Sequence, residues 1–203
     1  MIASSTPLLL GSASPRRREI LTTLRIPIAI APANADETPR DGEDADAYLV
    51  RVVRDKLASV ARFAKDHEAG ALLVADTLVL LDGVILGKPA DVADAASMLR
   101  RLSGRAHEVW TRFAIARPEQ PDVPAHEQTV RTRVVFRSLD EGEVAAYAAS
   151  GEGLDKAGAY AVQGLGSFAV ESVEGSYPNV VGLPACEVVV ALKRLGLLPR
   201  FPT

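Results

Sequence analysis

Short apolar runs alternate with longer segments in which apolar residues recur every three or four positions. The run Leu8–Leu10 stops at Gly11 and reads as a buried strand. Ser12-Ala13-Ser14-Pro15 follows, and then a helical pattern with Ile20, Leu21 and Leu24 on one face. Ser14 suits the N-cap and Pro15 the first helical position. Residues 31–44, rich in Pro, Gly and acids, read as a loop. Leu49, Val52, Val53, Leu57 and Val60 then form a helical stripe, predicting a helix over about 45–66.

Residues 71–86 predict two or three strands, with a hairpin signal at Asp82-Gly83. Asp91 caps a helix reaching about Leu102, and Gly104 lies just past its end. His107–Ala116 and Thr129–Phe136 read as strands around a polar, proline-containing loop at 117–128. Ser138-Leu139-Asp140-Glu141 reads as a capping box opening a helix that stops near Gly151. The stretch 151–182 is glycine-rich, with strand-like pieces around Tyr160 and Phe168. A last helix spans about Pro184–Leu195 and meets Gly196. Strands alternate with helices throughout, so the class is α/β.

Composition narrows the function classes. Of 203 residues, 48% are hydrophobic and 24% charged, which excludes wholesale disorder. Lys+Arg 23 against Asp+Glu 26 gives a net charge of −3, against a nucleic-acid binder. No apolar run approaches the roughly 18 residues of a membrane span. Leu8–Leu10 is too short for a signal-peptide core and no basic segment precedes it, so a cytoplasmic location is expected. A single cysteine, Cys186, allows no intramolecular disulfide; on the last helix it reads as a packing residue. His67, His107 and His126 share no metal-ligand spacing.

The candidate chemistry begins at Ser12-Ala13-Ser14-Pro15-Arg16-Arg17-Arg18. A helix N-terminus carries unpaired N–H groups and about half a positive charge. Three arginines there are unfavourable unless an anion binds. A polyphosphate would satisfy the N–H groups, the Ser12 and Ser14 hydroxyls and the guanidinium forks together; a solvated arginine face is the alternative. Lys56 falls within the apolar stripe of its helix, either snorkelling at the stripe's edge or directed into a cleft. Asp76-Thr77 closes the apolar run Ala71–Ala75. A carboxylate at the end of a buried strand suits metal binding or general-base work, or it simply serves a turn. Lys88 is pinned between Gly87 and Pro89, and Lys156 is a further cation. Asp36-Glu37 adds carboxylates, and Gly151–Gly166 is a loop of closely spaced glycines without Walker spacing. From the residues alone the reading is an α/β protein that binds a phosphoanhydride, with a metal as an option.

Taken together, these segments resemble the Maf family of nucleoside triphosphate pyrophosphatases. The matching stretches are Gly11-Ser-Ala-Ser-Pro-Arg-Arg17, Ala75-Asp-Thr77, Asp82-Gly83, Ile85-Leu-Gly-Lys-Pro89, Ser103-Gly104-Arg105 with His107, and Asp155-Lys-Ala-Gly158. They continue through Tyr160, Gln163-Gly164 and Glu174-Gly175 to Asn179-Val-Val-Gly-Leu-Pro184. The resemblance implies one Maf-like domain over 1–203, with an elongated central mixed β-sheet flanked by helices and two lobes around a cleft, similar to inosine triphosphatases. It also implies a homodimer and a divalent metal, Mg or Mn.

Carried over by position, Asp76 is the proton acceptor, and Arg16, Arg17, Lys56 and Lys88 bind the phosphates. Glu37 joins Asp76 at the metal. Arg16, Thr77 and Gln163 match the subgroup acting on dTTP and UTP, and a Gln amide suits the edge of uracil or thymine. The implied role is house-cleaning of pyrimidine nucleotides, modified ones included, with a link to septum formation. A 7-methyl-GTP pyrophosphatase and a non-catalytic nucleotide-sensing regulator are the alternatives. Asp36–Arg40 is shared as readily with the methyl-GTP subgroup, and Arg112 stands where the family usually has Gly.

Overall fold

The computed structural model describes residues 1–201. Seven strands form one mixed sheet in the order β2-β1-β3-β5-β6-β7, with β4 paired to β3. By internal contacts the chain divides into two compact units. One comprises Met1–Asp76, Thr111–Thr129 and Gly182 onward; the other comprises Thr77–Trp110 and Val130–Val181.

In the first unit, β1 (Leu8–Leu10) lies parallel to both β2 (Ile28–Ile30) and the start of β3 (Ala71–Leu81). Leu8 is in register with Ile28 and with Ala71. Helix α1 (Pro15–Thr23) connects β1 to β2, and α2 (Ala45–Ala61) connects β2 to β3. With β1 between β2 and β3, the chain leaves β1 to one side and returns on the other. The carboxyl ends of β1 and β3 are therefore where an open α/β sheet offers a ligand crevice. All five residues of the α2 stripe are fully buried. Val53, Leu57 and Val60 pack with Leu9, Leu72, Val74, Ala114 and Ala116. The helix starts cleanly because Asp44 caps it, accepting from the Ala47 N–H at 2.7 Å. Helix α6 (Ala185–Arg194) buries Val188, Ala191 and Leu192.

In the second unit, Asp82 and Gly83 both take positive φ and turn β3 into β4 (Val84–Leu86), as the sequence signal requires. Helix α3 (Val92–Leu102) is capped by Asp91, and α4 (Glu141–Ala149) follows. The strand β7 (Val170–Glu174) runs antiparallel to β6, with Arg133 opposite Glu174. The rings of His107, Phe136 and Tyr160 meet edge to face, 4.7–5.3 Å between centroids.

Several expected elements are corrected. β5 (Ala106–Arg117) and β6 (Gln120–Phe136) leave only residues 118–119 as a turn, so 117–128 is not a loop. Pro121 and Pro124 fall within β6, in the part outside its register with β7. The capping box is Asp140 with Glu143, two residues later than expected, and Arg137 clasps Glu143 at 2.6 and 3.0 Å. Strand β2 and the short helix α5 (Tyr177–Val181) were not anticipated. Ala157–Ala159 and Gly164–Ala169 are 3₁₀ turns, so neither Tyr160 nor Phe168 lies in a strand. Helix α2 ends at Ala61 rather than near 66, whereas 71–86 holds two strands, as expected. Cys186 is exposed, because the buried face of α6 begins at Val188.

Gly11 is where β1 must turn into the Ser12–Ser14 loop. A Cβ there would lie 2.6 Å from Val74 Cγ1 and 3.0 Å from Val60 Cγ1, both stiff β-branched side chains. Gly11→Ala is expected to cost about 1–3 kcal/mol, read as a lower urea midpoint. Val74→Ala in the same chain should return part of that loss; an unchanged midpoint for Gly11→Ala would contradict this packing.

Candidate active site

The loop after β1 is built around Ser12, Ser14 and Arg17. Ser14 takes extended backbone and caps α1, its hydroxyl accepting from the Arg17 N–H at 3.5 Å. Ser12 Oγ accepts from the Ser14 N–H at 3.2 Å and from Arg17 Nη1 at 3.1 Å. Arg17 is buried. Its Nε donates to Gly182 O and its Nη1 to Ala75 O, each at 2.8 Å. The guanidinium therefore ties the loop, β3 and the segment before α6 together. Burial pulls the Arg17 guanidinium below its ordinary pKa, opposed by the nearby Asp76 and Glu37 carboxylates. Arg16 and Ser14 are half-buried, and Arg18 faces solvent. No acid stands in the first turn of α1, so its positive end lacks the usual carboxylate neighbour.

Lys56 settles between its two sequence alternatives. It is only 6% exposed and does not snorkel outward. Its Nζ donates to Asp76 Oδ1 and lies 2.6 Å from both Asp76 Oδ1 and Glu37 Oε1. Asp76 is buried too, while Glu37 comes from the loop before α2 and is partly exposed. Asp76 does not end its strand, since β3 continues to Leu81. The parallel pairing with β1 does end, at Leu10 opposite Leu73, with the Gly11 N–H on Leu73 O at 2.8 Å. Asp76 thus stands just beyond the carboxyl end of the β1–β3 pair, which preserves the crevice reasoning despite the longer strand.

Seven of the expected residues fall in the first unit: Ser12, Ser14, Arg16, Arg17, Glu37, Lys56 and Asp76. Thr77, Lys88 and Gln163 belong to the second. Thr77 follows Asp76 along β3, so strand alternation turns it to the opposite face. Lys88 is exposed in the loop after β4, where Gly87 O accepts from the Gly158 N–H at 3.0 Å. Gln163 is exposed at the start of a 3₁₀ turn. Glu152 holds that turn by accepting from the Leu165 and Gly166 N–H groups at 2.9 and 2.8 Å, and from the Tyr147 hydroxyl at 2.8 Å. Lys156 reaches back to Asp155 and to the Glu152 carbonyl.

A family model described as "Maf-like protein" matches residues 7–195. The chain belongs to the Maf family. Among its curated Maf relatives, the dTTP/UTP pyrophosphatase of Myxococcus xanthus (strain DK1622) is 52% identical over 199 residues, covering 97% of this chain and 96% of that one. Those of Geotalea uraniireducens (strain Rf4) and Hahella chejuensis (strain KCTC 2396) are 45% and 47% identical. They cover 98% and 94% of this chain and 100% and 92% of their own. A crystal structure of a nucleoside-triphosphatase / dITP/XTP pyrophosphatase from Mycobacterium abscessus covers 98% of this chain and all of its own, at 16% identity and a TM-score of 0.38.

Within this Maf chain the donor set can be tested against a metal. Among the described residues no cluster of three or more His, Cys, Asp or Glu side chains is arranged for a cation. Two carboxylates, Glu37 and Asp76, do converge on the single Lys56 nitrogen. That set is too sparse for an all-protein cage but fits magnesium, which keeps waters and takes one or two carboxylates with phosphate oxygens. Arg112 bonds Thr129 at 3.0 Å and Glu127 at 2.9 Å, and Glu127 also meets Arg54 at 2.8 Å. Trp110 is buried under the Arg131 guanidinium, 3.8 Å from its ring centre. Asn179 is buried, its amide donating to Val109 O and Thr132 Oγ1 at 3.0 Å each. Tyr48, Arg51 and Glu43 were not singled out in the sequence, yet they hold the segment bearing Glu37. Their only signal was an aromatic–arginine pair at i, i+3 following an acidic loop.

Two outcomes follow from this geometry. Lys56→Met strands a buried carboxylate and should cost about 3–5 kcal/mol in urea unfolding. Asp76→Asn in the same chain should recover more than half; simply additive losses would contradict the pairing. His107, 3% exposed and 2.8 Å from the Tyr160 hydroxyl, is pushed by burial from 6.5 down to about 4. Its folded pKa lies below its unfolded one, so stability is full above the unfolded value and lost as pH falls between the two. The loss approaches about 3 kcal/mol. Urea unfolding at neutral and mildly acid pH should show a steeper decline for the parent than for His107→Gln; equal declines would refute it.

Proposed function

We propose that the chain hydrolyses dTTP and UTP, with related modified pyrimidine nucleotides, to the monophosphate and pyrophosphate. The carrying observation is the Lys56 ammonium held by both Asp76 and Glu37 beside Arg17. The 52% identity to the M. xanthus dTTP/UTP pyrophosphatase over nearly the whole of both chains supports the substrate.

In this reading the α1 N-terminus, Ser12, Ser14 and Arg16 hold the triphosphate tail. Arg17 contributes charge from behind, hydrogen-bonded to Gly182 O, Ala75 O and Ser12 Oγ. Lys88, in the second unit, keeps only the phosphate-binding role that its match to the family motif implies. Asp76 accepts the proton of the attacking water. The water oxygen bonds to the α-phosphorus as the bond from that phosphorus to the bridging oxygen breaks, and pyrophosphate leaves. Lys56 pairs with Asp76 at 2.6 Å and faces the charge that builds during transfer. The Glu37 and Asp76 carboxylates repel a polyphosphate, and Lys56 with Arg17 only balances them. A divalent cation, Mg or Mn, held by Glu37 and Asp76 would supply the missing positive charge. Gln163, in the second unit, keeps the base-reading role that its match to the dTTP/UTP subgroup implies, its amide offering both a donor and an acceptor. A homodimer and a cytoplasmic location accompany this reading; among the described residues no helix is long and apolar enough to cross a membrane.

A panel of nucleoside triphosphates with magnesium or manganese tests the proposal. dTTP and UTP should be the best substrates, ahead of 7-methyl-GTP, with water-derived ¹⁸O appearing in the monophosphate. Asp76→Asn should lower turnover by about 10²–10⁴-fold while retaining the parent's circular dichroism. Near-parent turnover in that variant, or ¹⁸O in the pyrophosphate, would reject the mechanism.

A further inference from the structure

Glu37 poses a problem of placement. It lies in residues 31–44, which contain no helix or strand, yet its carboxylate sits 2.6 Å from Lys56. Ordering backbone costs about 1–2 kcal/mol per residue, so something must hold this segment. Three consecutive carbonyls are each gripped by a side chain from α2. Arg51 Nη1 donates to Asp36 O at 2.9 Å, Tyr48 Oη to Glu37 O at 3.0 Å, and Arg51 Nη2 to Thr38 O at 3.0 Å.

The same guanidinium forks onto Glu43, at 2.6 Å from Nε and 2.7 Å from Nη2. Glu43 in turn accepts from the Arg40 N–H at 3.1 Å. Arg51 also lies 3.9 Å from Asp55, and its guanidinium carbon is 5.6 Å from the Tyr48 ring centre. The Arg51 hydrogen bond holds the Glu43 carboxyl down to about 2, so this clasp stays charged through neutral pH. Burial, with Asp76 and Glu37 nearby, pushes the Tyr48 hydroxyl well above its ordinary range, so it remains a donor.

We propose that Arg51, seconded by Tyr48 and Glu43, is the positioning residue that sets Glu37 at Lys56. Arg51 acts through Glu37 and touches no substrate. A lysine cannot replace it, because one ammonium cannot fork a carboxylate and reach two carbonyls on either side of Glu37. The inference rests on the proposed pyrophosphatase reading for its kinetic consequence, but not for its structural one.

The test is a cycle of Arg51→Lys, Glu37→Gln and the double variant in the full chain with magnesium and dTTP. If Arg51 acts through Glu37, Arg51→Lys lowers kcat/KM by about tenfold in the parent but by less than about twofold in the Glu37→Gln background. The same factor in both backgrounds, or no loss in the parent, overturns the proposal. Amide hydrogen exchange of the nucleotide-free protein supplies a readout independent of substrate. Arg51→Lys should speed exchange across residues 36–43 by about tenfold and leave residues 53–60 at the parent rate. Unchanged exchange at 36–43, or a global increase, overturns it too. Should the parent hydrolyse neither dTTP nor UTP, the function reading fails, and the exchange result alone decides the clasp.

Discussion

One buried ammonium organises the chemistry of this chain. Lys56 lies among apolar residues of α2, where an unpaired charge is not tolerated. The fold answers with two carboxylates brought from different elements: Asp76 from β3 and Glu37 from the loop before α2. Each of the three makes the others possible. Without Lys56 the carboxylates repel, and without them a buried ammonium is left unpaired. The packing of α2 on β1 and β3 is therefore as much a condition for the chemistry as the charged groups themselves.

Arg17 shows how one residue type divides its labour. The arginine cluster at α1 reads as an anion trap, yet the deepest guanidinium is engaged by Ala75 O, Gly182 O and Ser12 Oγ. It fixes the loop that carries the serines and lends its charge to Asp76 and Glu37. In the proposed reading the direct grip on an anion passes to the α1 N-terminus with Ser14 and Arg16, which are half-buried rather than enclosed. Structural and ligand-facing cations thus sit side by side in sequence, and only tertiary partners tell them apart.

Local chemistry was legible where a short rule decides the outcome. Asp82-Gly83 turns a hairpin because both residues adopt positive φ, and Asp91 and Ser14 cap helices because their side chains satisfy open N–H groups. Periodicity also exposed Lys56, since a lysine inside an apolar stripe breaks the pattern. Other features depended on competition the chain does not display locally. Ser138 and Asp140 are both good caps, and Glu143, clasped by Arg137, decides for Asp140. The prolines of β6 looked like loop, yet the strand runs through them. Strand β2 is too short for any periodicity, and the Arg51 and Tyr48 contacts that hold the segment bearing Glu37 are supplied by three-dimensional packing.

The central claim is that the triphosphate tail meets the Lys56 cluster and the α1 N-terminus together. Its most direct test is a titration of the isotope-labelled protein with a dTTP analogue carrying a methylene bridge between the α- and β-phosphorus, followed by NMR. The account predicts the largest shifts at the Ser12–Arg17 amides and at the Lys56 ammonium, with saturation at one shared concentration. Saturable binding that leaves Lys56 and the Ser12–Arg17 amides unmoved would contradict it.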